Sequence, residues 1–184
     1  MRRTICVIVA VVSACLVARA AEKEATMSQF KLTSSMFGAN QPIPKRHTGE
    51  GPDASPALKW EGAPPATKSF ALICDDPDAP VGTWVHWVIY DIPAKTTELP
   101  ENVARTDTVP DLSGTKQGVN DFGRVGYGGP MPPRGHGVHH YHFRLYALDT
   151  ALALQPRATK KQLEEAMKGH ILAQIELVGT YQRN

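Results

Sequence analysis

The sequence predicts a β-sandwich with one late helix, and three observations predict it. Short apolar runs alternate with frequent breakers, the 15 Gly and 15 Pro being spread through the chain with clusters at Pro42-Ile43-Pro44, Gly62-Ala63-Pro64-Pro65, Pro77 to Pro80 and Gly126 to Gly137. Two of the runs, Phe70–Cys74 and Trp84–Tyr90, are apolar at both parities, as central strands covered on both faces must be. Only one stretch, Thr159 to about Leu172, has the spacing of a helix. A chain of 184 residues suits one domain, and 42% hydrophobic with 21% charged residues excludes a disordered or fibrous protein.

The elements follow in chain order. Arg2 and Arg3 precede an apolar run from Ile5 to Val17, and Ala18-Arg19-Ala20 offers small residues for cleavage after Ala20, so residues 1–20 read as a secretory signal peptide. The run is shorter than the roughly 20 residues of a membrane span. A second reading takes Val12-Ser13-Ala14-Cys15 as a lipoprotein box, with Cys15 lipidated as an anchor. Either route exports the protein, to the periplasm or beyond. The polar residues 21–29 are expected to be disordered, and residues 30–184 to form the domain.

Export also sets the redox and charge balance. Cys6 and Cys15 leave with the signal, so Cys74 is alone and no internal disulfide forms. The formal charge of +2 falls to −1 once Arg2, Arg3 and Arg19 are gone, which excludes a nucleic-acid electrostatic footprint.

Further along, Tyr141 to Leu148 alternates. Tyr141, Phe143, Leu145 and Ala147 share an apolar face that also takes His139, opposite His140, His142 and Arg144. In the helix, Thr159 with Gln162 forms a capping box, and Leu163, Ala166, Met167 and His170 make the buried stripe. Alternation at Ile175, Leu177 and Gly179 predicts a last strand.

Three stretches carry polar groups where a pocket could use them. Asp75-Asp76-Pro77-Asp78-Ala79-Pro80 follows a buried strand, and its prolines stiffen a turn that holds carboxylates at the strand end. His86 sits between apolar neighbours in Gly82-Thr83-Trp84-Val85-His86-Trp87, so it must find a partner or stay neutral. The Gly-rich loop Gly126–Gly137 can turn backbone N–H groups inward as an anion-binding nest while feeding His139 and Tyr141 into a strand. Together Asp76, His86, His139, Tyr141 and the Gly128 and Gly129 amides predict a small polar pocket, with Asp76 orienting a histidine.

Asp76-Pro77-Asp78-Ala79-Pro80, Gly82 to Trp87, and Gly126-Tyr127-Gly128-Gly129-Pro130-x-Pro132-Pro133 through His139-x-Tyr141 resemble the phosphatidylethanolamine-binding protein family, in its bacterial Raf kinase inhibitor-like branch. Ser55-Pro56-Ala57-Leu58-x-Trp60 and Gly118 to Gly123 extend the resemblance over about Phe30 to Arg183. It implies a mainly β fold, a sandwich of two antiparallel sheets with one or two short helices near the C-terminus. It implies a pocket for phosphate-type anions or phospholipid head groups formed by Asp76, His86, His139 and Tyr141 beside Gly128 and Gly129. It also implies a cis-proline turn at Pro77 and Pro80 around Asp78. Bacterial members lack the long C-terminal helix that covers the pocket, and with the chain ending at Asn184 the expectation here is an uncovered one. The resemblance, not the residues themselves, points to a homodimer.

The expected function is therefore that of an exported, non-catalytic binding protein for a small phosphorylated or carboxylated ligand, needing no cofactor. Its rivals are a protein inhibitor of a kinase or protease acting through its surface, a hydrolase and a metal site. No Gly-x-Ser-x-Gly elbow accompanies the Asp, His and Tyr groups. Strand parity separates His139 from His140 and His142, leaving only the loop residue His136 near it for a metal. Exposed Lys45, Arg46 and His47, with Arg134, could steer anions.

Overall fold

The structure, a computed structural model, describes residues 30–184; the signal, the lipoprotein alternative at Cys15 and the polar stretch 21–29 lie outside the described residues. A small sheet has the order β1 (Lys31–Thr33), β3 (Leu58–Glu61), β6 (Glu98–Leu99). The large sheet runs β2 (Gln41–Pro42), β9 (Ile171–Tyr181), β8 (His139–Leu148), β4 (Ser69–Asp76), β5 (Trp84–Pro93), β7 (Lys116–Gln117). All pairings are antiparallel except β2 with β9, where Gln41 and Pro42 run parallel to Gly179 and Thr180.

The two apolar parities of β4 and β5 arise because the large sheet is covered on both sides. One face sends Phe70, Leu72, Trp87, Ile89, Phe143 and Leu145 toward the small sheet, where Leu58, Trp60 and Leu99 complete the core. The other sends Ala71, Ile73, Val88 and Tyr90 against Leu163 and Met167 of the helix α1 (Lys160–Met167). Burial of apolar area at about 25 cal/mol per Å² makes these two layers the main source of stability.

The capping box forms as expected, Thr159 accepting from the Gln162 N–H while the Gln162 side chain accepts from the Thr159 N–H. The helix ends at Met167, short of Leu172, because Lys168 leaves helical angles (φ −57, ψ 125) and Ile171 already belongs to β9. His170 is therefore not part of the buried stripe; it lies in the connecting turn and bonds Asp149 at 2.8 Å. His47 is also displaced from expectation. It is fully buried, its Nδ1 2.9 Å from the Ala54 carbonyl, so it is not an exposed steering group. Among the described residues no helix is long and apolar enough to cross a membrane.

Candidate functional site

The cleft lies where β4, β5 and β8 end together. Asp76 is the last residue of β4 and pairs with Trp84, the first of β5, while His139 opens β8. Side-chain alternation along β8 puts His139 and Tyr141 on the same face as Phe143, toward the first core.

His86 reaches that face through an irregularity. In the β4–β5 ladder Cys74 pairs with Trp87 and Asp75 with Val85, which leaves His86 as an extra residue. A β-bulge of this kind bends the strand and re-aims a side chain. Trp87 thus stays in the core that holds Tyr141, and the His86 ring still meets Tyr141 edge to face at 5.1 Å.

The resulting cleft has a volume of about 200 Å³. Asp76, His86, His139 and Tyr141 all line it, with Trp84 and Phe122 as aromatic walls and Val81 and Met131 at the rim. Val81 is 77% and Met131 43% exposed, so an apolar rim surrounds a polar floor.

Hydrogen bonds fix the floor. Asp76 Oδ2 accepts from His139 Nδ1 at 2.7 Å, and Oδ1 accepts the Asp78 N–H at 2.8 Å, which closes the turn that Pro77 begins. Asp78 in turn accepts both the backbone N–H and the Nδ1–H of His140, at 2.8 and 2.7 Å, stitching the turn to β8. Burial raises the Asp78 carboxyl, but these bonds from His140 outweigh it and hold the group below its ordinary value. The turn needs no cis bond: all peptide bonds among the described residues are trans, including those before Pro77 and Pro80, contrary to what the resemblance implied.

His86 donates Nδ1–H to the Gly128 carbonyl at 2.5 Å, so in the neutral ring Nε2 keeps its lone pair. Burial pushes its proton affinity below the ordinary histidine value, and the Gly128 carbonyl and the Asp76 charge only partly offset this. Tyr141 is 1% exposed, and its hydroxyl has no hydrogen-bond partner among the described residues. Burial, then the Asp76 charge, drives its phenol far up, so it stays protonated as a donor.

The Gly128 and Gly129 amides do not form the expected nest. Gly128 N–H donates to the His86 carbonyl at 2.9 Å and Gly129 N–H to Asp53 Oδ1 at 2.6 Å, so both are consumed within the protein. Neither glycine has positive φ. Their role is close approach: a Cβ on Gly128 would meet the Phe122 ring at 2.7 Å, and one on Gly129 would strike the His47 carbonyl. The loop supports the site and supplies no free donor there.

Phe122 is a wall that sequence reasoning did not assign to the pocket. It packs edge to face on His86 at 5.3 Å and on Trp84 at 5.5 Å. Its neighbour Asp121 brings it there, accepting the Val85 N–H at 2.7 Å and donating its own N–H to the Val85 carbonyl. Nothing local in the sequence signals that clamp. Cys74, below the site, is buried with its thiol pushed well up by desolvation, and is no nucleophile. No group of three or more metal-ligating side chains occurs among the described residues.

A two-sheet β protein with an Asp, His and Tyr cleft at the strand ends is the class that the fold and the cleft define. The family model described as phosphatidylethanolamine-binding protein matches residues 33–182, and the chain belongs to this family. It is 54% identical to a UPF0098 protein of Aquifex aeolicus over 152 residues, 82% of this chain and 87% of that one. A UPF0098 protein of Pyrococcus horikoshii is also 54% identical, over 82% of this chain and 75% of its own length. Among solved structures, E. coli YbcL, described as a new member of the mammalian family, superposes with a TM-score of 0.79 at 35% identity, covering 85% of this chain and 99% of its own. The mainly β, two-sheet fold and the bacterial branch are thereby established.

Proposed function

We propose that this protein is an exported, non-catalytic binding protein whose cleft takes a phosphate-type anion, free or as a phospholipid head group. The observation that carries the reading is the buried Tyr141 hydroxyl, which among the described residues makes no hydrogen bond in a cleft it shares with His86, His139 and Asp76. A buried unpaired hydroxyl costs about 1–3 kcal/mol, so a ligand acceptor is its natural complement. His86 Nε2 faces the same ligand as an acceptor when neutral and a donor when protonated. A protonated phosphate suits both, its P–OH donating to His86 Nε2 and a P–O⁻ accepting from Tyr141. The apolar rim of Val81 and Met131 suits the organic part of a phosphoester. Export rests on the signal-like residues 1–20.

Calorimetric titration of phosphate and phosphoethanolamine tests the assignment. Binding is expected to weaken about tenfold in Tyr141→Phe, in line with one lost hydrogen bond to a charged group, and in His139→Ala by a factor that grows as the pH is lowered. Affinities equal to wild type would remove the site. Turnover of a simple phosphoester that His86→Ala abolishes would replace the binding reading with an enzymatic one.

A further inference from the structure

His139, the histidine expected to reach the ligand, has both ring nitrogens occupied by the protein. Nδ1 bonds Asp76 Oδ2 at 2.7 Å and Nε2 lies 2.9 Å from Nδ1 of His136. We infer that His136 is an intramolecular latch, competing with the anion for Nε2 of His139 and released by protons. This rests on the anion reading above and deepens it by adding a residue and a mode of control.

The protonation pattern follows from the chain of bonds. An ionised Asp76 only accepts, so His139 Nδ1 must donate to it. In the neutral ring Nε2 then carries the lone pair, and His136 has to donate its Nδ1–H. An approaching anion therefore finds no donor on His139; the one nitrogen not aimed at Asp76 is an acceptor already in use. One added proton can be shared across the contact without breaking it. A second places two N–H groups face to face at 2.9 Å, and the contact must open.

The loop is built to let His136 go. Its ring is exposed, so its departure uncovers no apolar surface of its own. Gly135 and Gly137 flank it at φ 73 and 91, both in open space. The backbone stays tied, Gly135 N–H donating to the Arg183 carbonyl at 3.1 Å and His136 N–H to the Pro133 carbonyl at 3.3 Å, so release is a swing of the exposed His136 side chain. Release leaves His139, whose ring lines the cleft, as an imidazolium with its Nδ1–H still on Asp76 and its Nε2–H free to donate.

The charges around the pair come from each neighbouring element. Asp76 of β4 holds His139 directly, and Asp78 of the following turn is taken up by His140 of β8. Arg134, in the same loop, lies 3.7 Å from Glu50, and Arg183, from the segment after β9, lies 3.2 Å from it. His86 of β5 is tied to Gly128 across the cleft. None of these groups other than Asp76 hydrogen-bonds either ring of the pair, so the two imidazoles set the switch between them.

The test uses sulfate, whose charge is constant between pH 5.0 and 7.5. His136→Ala is expected to bind sulfate about three- to tenfold more tightly than wild type at pH 7.5, because its His139 takes up the proton that the anion needs without first giving up the bond from His136. The ratio should fall toward one as the pH is lowered to 5.0 and protons compete for the contact. A surface histidine that merely attracts anions predicts the opposite sign, so equal or weaker binding by the variant at pH 7.5 overturns the latch. Long-range ¹H–¹⁵N spectra of the unliganded wild type supply an independent readout. They should show His136 as the Nδ1–H tautomer at pH 7.5, and the Nε2–H tautomer would sink the proposal by itself. Absence of sulfate and phosphate binding in both proteins at both pH values would overturn the anion reading instead, whatever the tautomer.

Discussion

Tyr141 and His86 show how a site can be written into single residues at the expense of stability. The Tyr141 hydroxyl is buried without a partner, so Tyr141→Phe removes an unsatisfied group and leaves the packing of the ring intact. Thermal melting of the unliganded variant is expected to match or exceed wild type, by up to about 1 kcal/mol, even as the proposed anion binding weakens. His86 carries a second cost that depends on pH. Its folded-state proton affinity is depressed by burial, so the unfolded chain binds a proton first as the solution is acidified. Stability from this residue is full above the unfolded value near 6.5 and is lost as pH falls below it. Melting temperatures between pH 8 and 5 should fall in buffer alone, and the proposed anion, bound to the folded form and accepting from protonated His86, should make them fall less at saturating phosphate. Parallel melting curves with and without phosphate would contradict that linkage.

Among the elements, α1 and the end of β4 are joined by a buried ion cluster directly behind the cleft. Asp75 is 1% exposed and meets Arg144 Nη1 at 2.7 Å and Lys160 Nζ at 2.8 Å, while Glu176 of β9 takes Arg144 Nε at 2.9 Å. Adjacent aspartates therefore face opposite ways, Asp76 into the cleft and Asp75 toward the helix. Removing a partner from a buried pair costs about 3–5 kcal/mol when a charge is stranded. Arg144 and Lys160 keep side-chain exposures of 24% each and can turn to water, so Asp75→Ala should cost less, about 2 kcal/mol. Lys160→Met with Arg144→Met would strand Asp75 and should cost more. Chemical denaturation of the two variants decides this order, and the reverse order would mean that the cluster is effectively solvated.

For the whole molecule, the large sheet is a shared wall between two apolar layers. Phe70 and Leu163 belong to different layers, yet β4 alternates Phe70 and Leu72 on one side with Ala71 and Ile73 on the other. Loss of either layer therefore exposes the same strand. Phe70→Ala should cost about 3–5 kcal/mol and Leu163→Ala about 2–5 kcal/mol. In both variants tryptophan fluorescence and far-UV circular dichroism should report one coincident transition. Separate transitions would show that the helix layer unfolds alone.

Much of this was legible in the residues because periodicity and local chemistry act over short distances. The two-faced apolar runs of β4 and β5, the alternation of β8 and the Thr159 capping box each follow from side-chain spacing along one segment, and each appears in the structure. The membership of Asp76, His86, His139 and Tyr141 in a common cleft was readable from motifs that adjoin strand ends. What only the tertiary structure decided are relations across the ladder. A single extra residue in β5 turns His86 into the cleft, because register depends on the pairing partner and not on the strand alone. The Gly128 and Gly129 amides are spent on His86 and Asp53, and Asp53 lies 76 residues from Gly129 in the chain. The contact of His136 with His139 depends on the path of a loop, whose sequence admits many conformations until packing selects one.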